Sequence, residues 1–302
     1  MEVSVLLAAA LVLAFGTWIP LAQLRPGVPD RTRLVHVAVG NAAFAGVAFL
    51  IAGGSGLSFG WRGFWLPLLG GVVWAAGNYC VFRASATIGL ARAAGTWTPL
   101  NIVVAFAWGA LLFGELDGFT PDRLALLGLA FVAVVVGVLL ISGSQARTAG
   151  ATGPGARTTR LRSPGLLWAV AAGVLWGSYF IPAQWAATSA QASNLPLALG
   201  ILVGALVLAL TARAPVRLAP RVAATQVGAG VVFGVGNLLL LALVARVGTG
   251  TGFTIAQLSL AVNAAIGIWV FRVPRPGTSQ ARRVLAGIAV AGVGGAVIAA
   301  MR

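Results

Sequence analysis

The chain has 302 residues, of which 59% are hydrophobic and 8% charged, with a formal net charge of +15. A soluble domain carries roughly 25% charge, so these residues cannot cover a water-solvated globule. The basic excess is arginine spread between long apolar blocks rather than on one folded basic face, which argues against nucleic-acid binding.

The apolar residues fall in ten blocks of about 20, the length a helix needs to cross a hydrocarbon core of roughly 30 Å. They run approximately over 3–22, 34–53, 64–83, 86–113, 123–142, 164–184, 194–212, 221–245, 250–271 and 282–300. None shows the alternating ten-residue segments of a membrane β-barrel. The expected fold is an all-α membrane protein of ten transmembrane helices. Most arginines lie in the loops after the first, third, fifth, seventh and ninth blocks. The positive-inside rule places those loops in the cytoplasm and both termini outside the cell membrane. The first block has no basic n-region and a long apolar run, unlike a cleaved signal.

In the first block, Gly16-Thr17-Trp18-Ile19-Pro20 puts hydroxyl, indole and proline together. The second carries the only histidine, His36, near its start. The third holds Trp74, Asn78 and the only cysteine, Cys80. A single cysteine allows no intrachain disulfide and no cysteine-based metal cluster, and Cys80 reads as a small buried hydrophobe. In the fourth, Trp97 and Asn101 are four apart and share a helix face, with Thr96 and Thr98 beside them and Glu115 at the far end. Residues 143–163 have no apolar period and read as a flexible linker.

The second half repeats landmarks of the first. Trp176, Gly177, Ser178, Tyr179 and Pro182 of the sixth block echo Gly16 to Pro20, and Gly236-Asn237 of the eighth echoes Gly77-Asn78. Gly109 and Phe113 find counterparts in Gly267 and Phe271. The offset stays near 160 residues. Five spans per half is odd, so the halves, 1–142 and 164–302, should cross the membrane in opposite senses as an inverted repeat. Small residues at four-residue spacing, such as Gly200 with Gly204, suit close helix packing. Pro20, Pro99 and Pro182 can kink their helices.

Polar groups inside a membrane mark the candidate site. They are Thr17, Trp18, Asn78, Trp97, Thr98, Asn101, Trp176, Ser178, Tyr179, Asn237, Thr254 and Gln257, the last two three apart on one face of the ninth block. Amides and hydroxyls can bind the hydroxyls of an uncharged solute, and an indole can receive the C–H face of a sugar ring. Each amide could equally serve an interhelical hydrogen bond. No fixed mid-membrane charge awaits an ionic substrate. Glu115 and His36 are the groups that could couple protons. Trp61, Trp65 and Trp168, near block ends, read as interfacial anchors. There is no P-loop, no zinc ligand set and no mid-membrane carboxylate pair, so neither enzyme activity nor a cofactor or metal is expected.

Three stretches carry a family likeness: Trp176 to Gln184 (WGSYFIPAQ), Gly77 to Glu115, and Gly236 to Leu258. They resemble the glucose/ribose porters of the drug/metabolite transporter superfamily. The resemblance implies a ten-span carrier, proton-linked or facilitated, taking up sugar through a cavity lined by the first, third, fourth, sixth, eighth and ninth spans. Arg83 stands where that family often has lysine, and the loop after Phe271 lacks the acid often found there. A metabolite, amino-acid or drug exporter of the same fold is the alternative, and a non-transporting membrane subunit a third reading.

Overall fold

The computed structural model describes residues 2–25, 27–53, 60–88, 90–149, 164–272 and 274–300, and all regular structure among them is helical. The helices are α1 (Glu2–Gln23), α2 (Asp30–Ile51), α3 (Trp61–Ile88), α4 (Leu90–Leu112), α5 (Pro121–Ala149), α6 (Pro164–Trp176), α7 (Ile181–Trp185), α8 (Ala190–Thr211), α9 (Pro220–Val247), α10 (Thr249–Ala256), α11 (Ser259–Trp269) and α12 (Ser279–Ala300). Three of them, α5, α6 and α9, start on proline, whose fixed φ and missing N–H suit the first helical position. Ser189 caps α8, its hydroxyl accepting from the Ala192 N–H at 3.2 Å.

Eight segments of the described residues are long and apolar enough to cross a membrane. Two of them are interrupted helices. Pro164–Trp185 breaks between α6 and α7, and Thr249–Trp269 breaks between α10 and α11. The fourth expected span corresponds to α4, whose described apolar part includes Thr96–Leu112. α12 has 22 residues, enough at 1.5 Å each to cross about 30 Å. The expected linker is partly helical: α5 continues to Ala149. No proline interrupts 143–149, and each added residue gains a backbone hydrogen bond. The remainder of the linker, 150–163, lies outside the described residues.

The chain divides into two compact units, Met1–Ala76 with Ser178–Arg246, and Gly77–Gly177 with Val247–Arg302. Each draws on both sequence halves. In the first unit α2 crosses α9 where a Cβ on Gly40 would run into the Val227 carbonyl and the Gly230 Cα. α8 crosses α3 in the same way, Gly200 against the Leu68 carbonyl and the Gly71 Cα. The partners correspond at offsets of 159 and 160 residues. Both crossings need glycine because the backbones themselves touch.

In the second unit α5 crosses α12 in a self-matching way. Gly137 packs on Gly287 and Ala291, and Gly294 packs on Ala130 and Val134. The three positions on one helix answer the three on the other at an offset of 157. The apolar core around this crossing includes Ile102, Leu127, Val138 and Ile298. Cys80 is buried in a separate core with Val81, Ala84, Trp97, Ala169 and Ala172.

Candidate functional site

In the second unit the end of α3, the middle of α4 and the end of α6 converge. The Trp97 and Trp176 indoles meet edge to face, 6.1 Å between centroids at 73°. Gly77 lies against Trp176, where a Cβ would stand 2.5 Å from the indole Cδ1. Gly177 lies against the Asn101 carbonyl, 2.8 Å from a would-be Cβ. Absent side chains at these two glycines therefore bring Asn78, Asn101 and the two indoles into one neighbourhood.

Both amides there are buried, Asn78 at 5% and Asn101 at 4% exposure. Asn78 Nδ2 and Asn101 Oδ1 have no hydrogen-bond partner among the described residues. One is a donor and the other an acceptor, and burial without a partner costs each about 1–3 kcal/mol. Thr98 is buried next to Trp97.

α10 begins at Gly248, whose φ of +85° turns the chain sharply into the helix. It is buried from Thr249 to Ala256. Its free N–H groups are taken up by Glu115, whose carboxylate accepts from the Thr249 N–H and, at 2.9 Å, from the Gly250 N–H. Gly109 and Gly248 leave space for that carboxylate, since a Cβ on either would stand 2.7 Å from one of its atoms. Glu115 thus ends α4 and caps α10, a helix of the other sequence half. The Thr254 hydroxyl donates to the Gly250 carbonyl at 2.6 Å, within its own helix. Gln257 sits at the break itself. Its backbone N–H is shared between the Phe253 and Thr254 carbonyls at 3.3 and 3.2 Å, and the next bonds are of the tighter i to i−3 kind.

In the first unit the aromatic centre is Phe233. Trp18 and Trp74 each lie 4.9 Å from it, and Phe15 5.8 Å. Asn237 follows one turn later on α9, 1% exposed, with neither amide atom partnered among the described residues. Thr17 spends its hydroxyl proton on the Leu13 and Ala14 carbonyls at 2.8 and 3.3 Å. Ser178 and Tyr179 occupy the break between α6 and α7, with Tyr179 buried against Phe180. His36 Nδ1 is 2.9 Å from the Thr32 carbonyl of its own helix.

The candidate residues therefore divide between the units. Thr17, Trp18, Ser178, Tyr179, Asn237 and His36 fall in the first. Asn78, Trp97, Thr98, Asn101, Glu115, Trp176, Thr254 and Gln257 fall in the second. Sequence reasoning passed over Phe233, and over Asn41 and Asn194, whose amides are buried and, among the described residues, unpartnered at both atoms. The two asparagines carried the same intramembrane-amide signal as Asn78. Phe233 carried none, because a phenylalanine in an apolar span is unremarkable until its neighbours are known.

A solved crystal structure matches 97% of this chain and 96% of its own with a TM-score of 0.68 at 20% identity, a likeness of fold. The chain is 27% identical to a "Putative sugar uptake protein" of Bacillus cereus over 98% of each. It is 25% identical to the "Putative ribose uptake protein RbsU" of Lactiplantibacillus plantarum over 85% of each, and 24% identical to the "Glucose uptake protein GlcU" of Bacillus subtilis over 70% of each. A family described as sugar transport protein matches residues 6–301, and this chain, a multi-pass membrane transporter rather than an enzyme, belongs to it.

Proposed function

We propose that the protein carries a monosaccharide of the glucose or ribose type into the cell by alternating access. The observation that carries this reading is the pair of indoles, Trp97 and Trp176, set beside an unpartnered amide donor on Asn78 and an unpartnered acceptor on Asn101. A pyranose or furanose has hydroxyls that both donate and accept, and C–H faces that rest on an indole. Burial of such a solute would complete both amides without a charge. The names of the relatives from Bacillus subtilis and Lactiplantibacillus plantarum speak of glucose and ribose uptake.

Movement is proposed to follow from two five-helix repeats of opposite orientation, residues 1–142 and 164–302. The matched crossings of α2 with α9 and of α8 with α3 support that relation, as does the self-matching crossing of α5 with α12. Interrupted helices at Gly177–Phe180 and Gln257–Leu258 are the kind that carriers use to expose backbone groups to a solute. In the second unit Thr254 and Gln257 complete the proposed site, and Thr17, Trp18, Ser178, Tyr179 and Asn237 are proposed as solute-binding groups of the first unit. Proton coupling is proposed through Glu115, with His36 the second candidate.

The test is uptake of labelled glucose and ribose into proteoliposomes holding the purified protein, against amino acids and cationic drugs. Saturable monosaccharide uptake, lost in Trp176→Ala, is the expected result. Transport of a cationic drug or amino acid with no monosaccharide movement would overturn the reading.

A further inference from the structure

We propose that one end of the first unit is a binding surface for the headgroups of anionic phospholipids. Two chain segments form it, the α1–α2 connection with the first turn of α2, and the α8–α9 connection with the first turn of α9. They are tied together: the Thr32 hydroxyl donates to the Pro215 carbonyl at 2.6 Å, and Thr32 is fully buried. Further along α9, Gln226 Nε2 donates to the Ala22 carbonyl of α1 at 2.9 Å. The two connections therefore present their charges as one surface.

Those charges are Arg25, Arg31, Arg33, Arg213, Arg217 and Arg221, with Asp30 the one acid on the two segments. Asp30 lies 3.9 Å from Arg33, which also donates to the Val28 carbonyl at 3.3 Å. Arg25, Arg213, Arg217 and Arg221 are exposed. Exposed Leu24 and Val216 adjoin them, as at a boundary between apolar and headgroup regions. Clustered arginine beside a helix end attracts anionic lipid, with an effect that fades beyond the Debye length.

One of these arginines also sits at an unusual backbone position. Arg213 follows α8 in the left-handed region at φ +51°. Its N–H donates to the Leu210 carbonyl and the next N–H to the Ala209 carbonyl, the helix-ending arrangement in which glycine is favoured. The corresponding position at the end of α2, 160 residues earlier, is Gly53, also left-handed at φ +93°. In the second unit the same exchange recurs: Gly114 at φ +59° corresponds to Arg272 at φ +55°. Arg213 is thus held on this surface in a conformation that disfavours any Cβ, as is Ala187 at φ +52°, whose counterpart 160 residues earlier is Gly27 at φ +84°.

Native mass spectrometry of the full chain in neutral detergent, with equal phosphatidylglycerol and phosphatidylcholine, tests this independently of sugar transport. The wild type is expected to retain phosphatidylglycerol preferentially. The combined change Arg213→Gln, Arg217→Gln and Arg221→Gln should lower that preference about fivefold per charge removed. Arg213→Gly should melt at higher temperature in phosphatidylcholine yet gain less from phosphatidylglycerol than the wild type. That single change also carries the test if the triple variant fails to fold. Equal retention of both lipids by the wild type overturns the proposal. So does undiminished preference in the variants, or equal protection by soluble glycerol phosphate or a DNA oligonucleotide.

Discussion

Glu115 holds the first turn of α10: its Oε2 accepts from the Gly250 N–H at 2.9 Å while Oε1 accepts from Thr249. An acidic residue at the end of a span in one half thus closes the start of a broken span in the other. The charge also suits the positive end of a helix dipole.

Removing this carboxylate by Glu115→Ala should destabilise the protein by about 1–3 kcal/mol, read as a lower melting temperature in detergent. Glu115→Gln keeps one acceptor and should cost less. If Glu115 also couples protons, Glu115→Gln abolishes accumulation driven by a pH gradient and spares sugar exchange. Accumulation that persists in Glu115→Gln limits the residue to its capping role.

Asn101→Ala and Trp176→Ala should each weaken sugar binding about tenfold, a loss of roughly 1.4 kcal/mol. The melting temperature of the unliganded protein should fall little for Asn101→Ala, because the buried oxygen being removed has no partner among the described residues. Titration of sugar against the thermal shift reads both effects. Unchanged affinity in the two variants would reject the site.

The glycine crossings make a paired prediction. Gly40→Val and Gly200→Val should destabilise by similar amounts, of about 1–3 kcal/mol or more, since each drives a side chain into a backbone. Gly46 on the same helix as Gly40 has open space around it. Gly46→Ala should be neutral or stabilise by up to about 1 kcal/mol. Thermal melts of the three variants distinguish paired close contacts from glycine content in general.

Reporter fusions check the path of the chain through the bilayer. Reporters after residue 302 and before residue 1 should both read as outside, and one inserted near 155 should read as cytoplasmic. Opposite readings at the two termini would mean an odd number of crossings and remove the paired-repeat account.

Hydropathy made the helices legible because lipid demands long apolar runs and internal backbone bonding, which composition records directly. The near-constant offset between halves was legible in landmarks such as Gly77-Asn78 and Gly236-Asn237, whereas the pairing of Gly40 with Gly200 emerged only from their touching backbones. Other features depended on distance. Glu115 read as a helix-end acid and a candidate proton group, because nothing in sequence links position 115 to positions 249 and 250. Thr17 and Thr254 read as site hydroxyls, yet both donate to carbonyls of their own helices. Pro182 marked the break after α6, while the break at Gln257 contains no proline or glycine to mark it.

α10 is only eight residues long, about 12 Å of helix in a hydrocarbon layer of about 30 Å. If the carrier holds its solute at Gln257, that length puts the solute roughly half-way along its route, and the driving gradient rather than the route sets the direction of net movement.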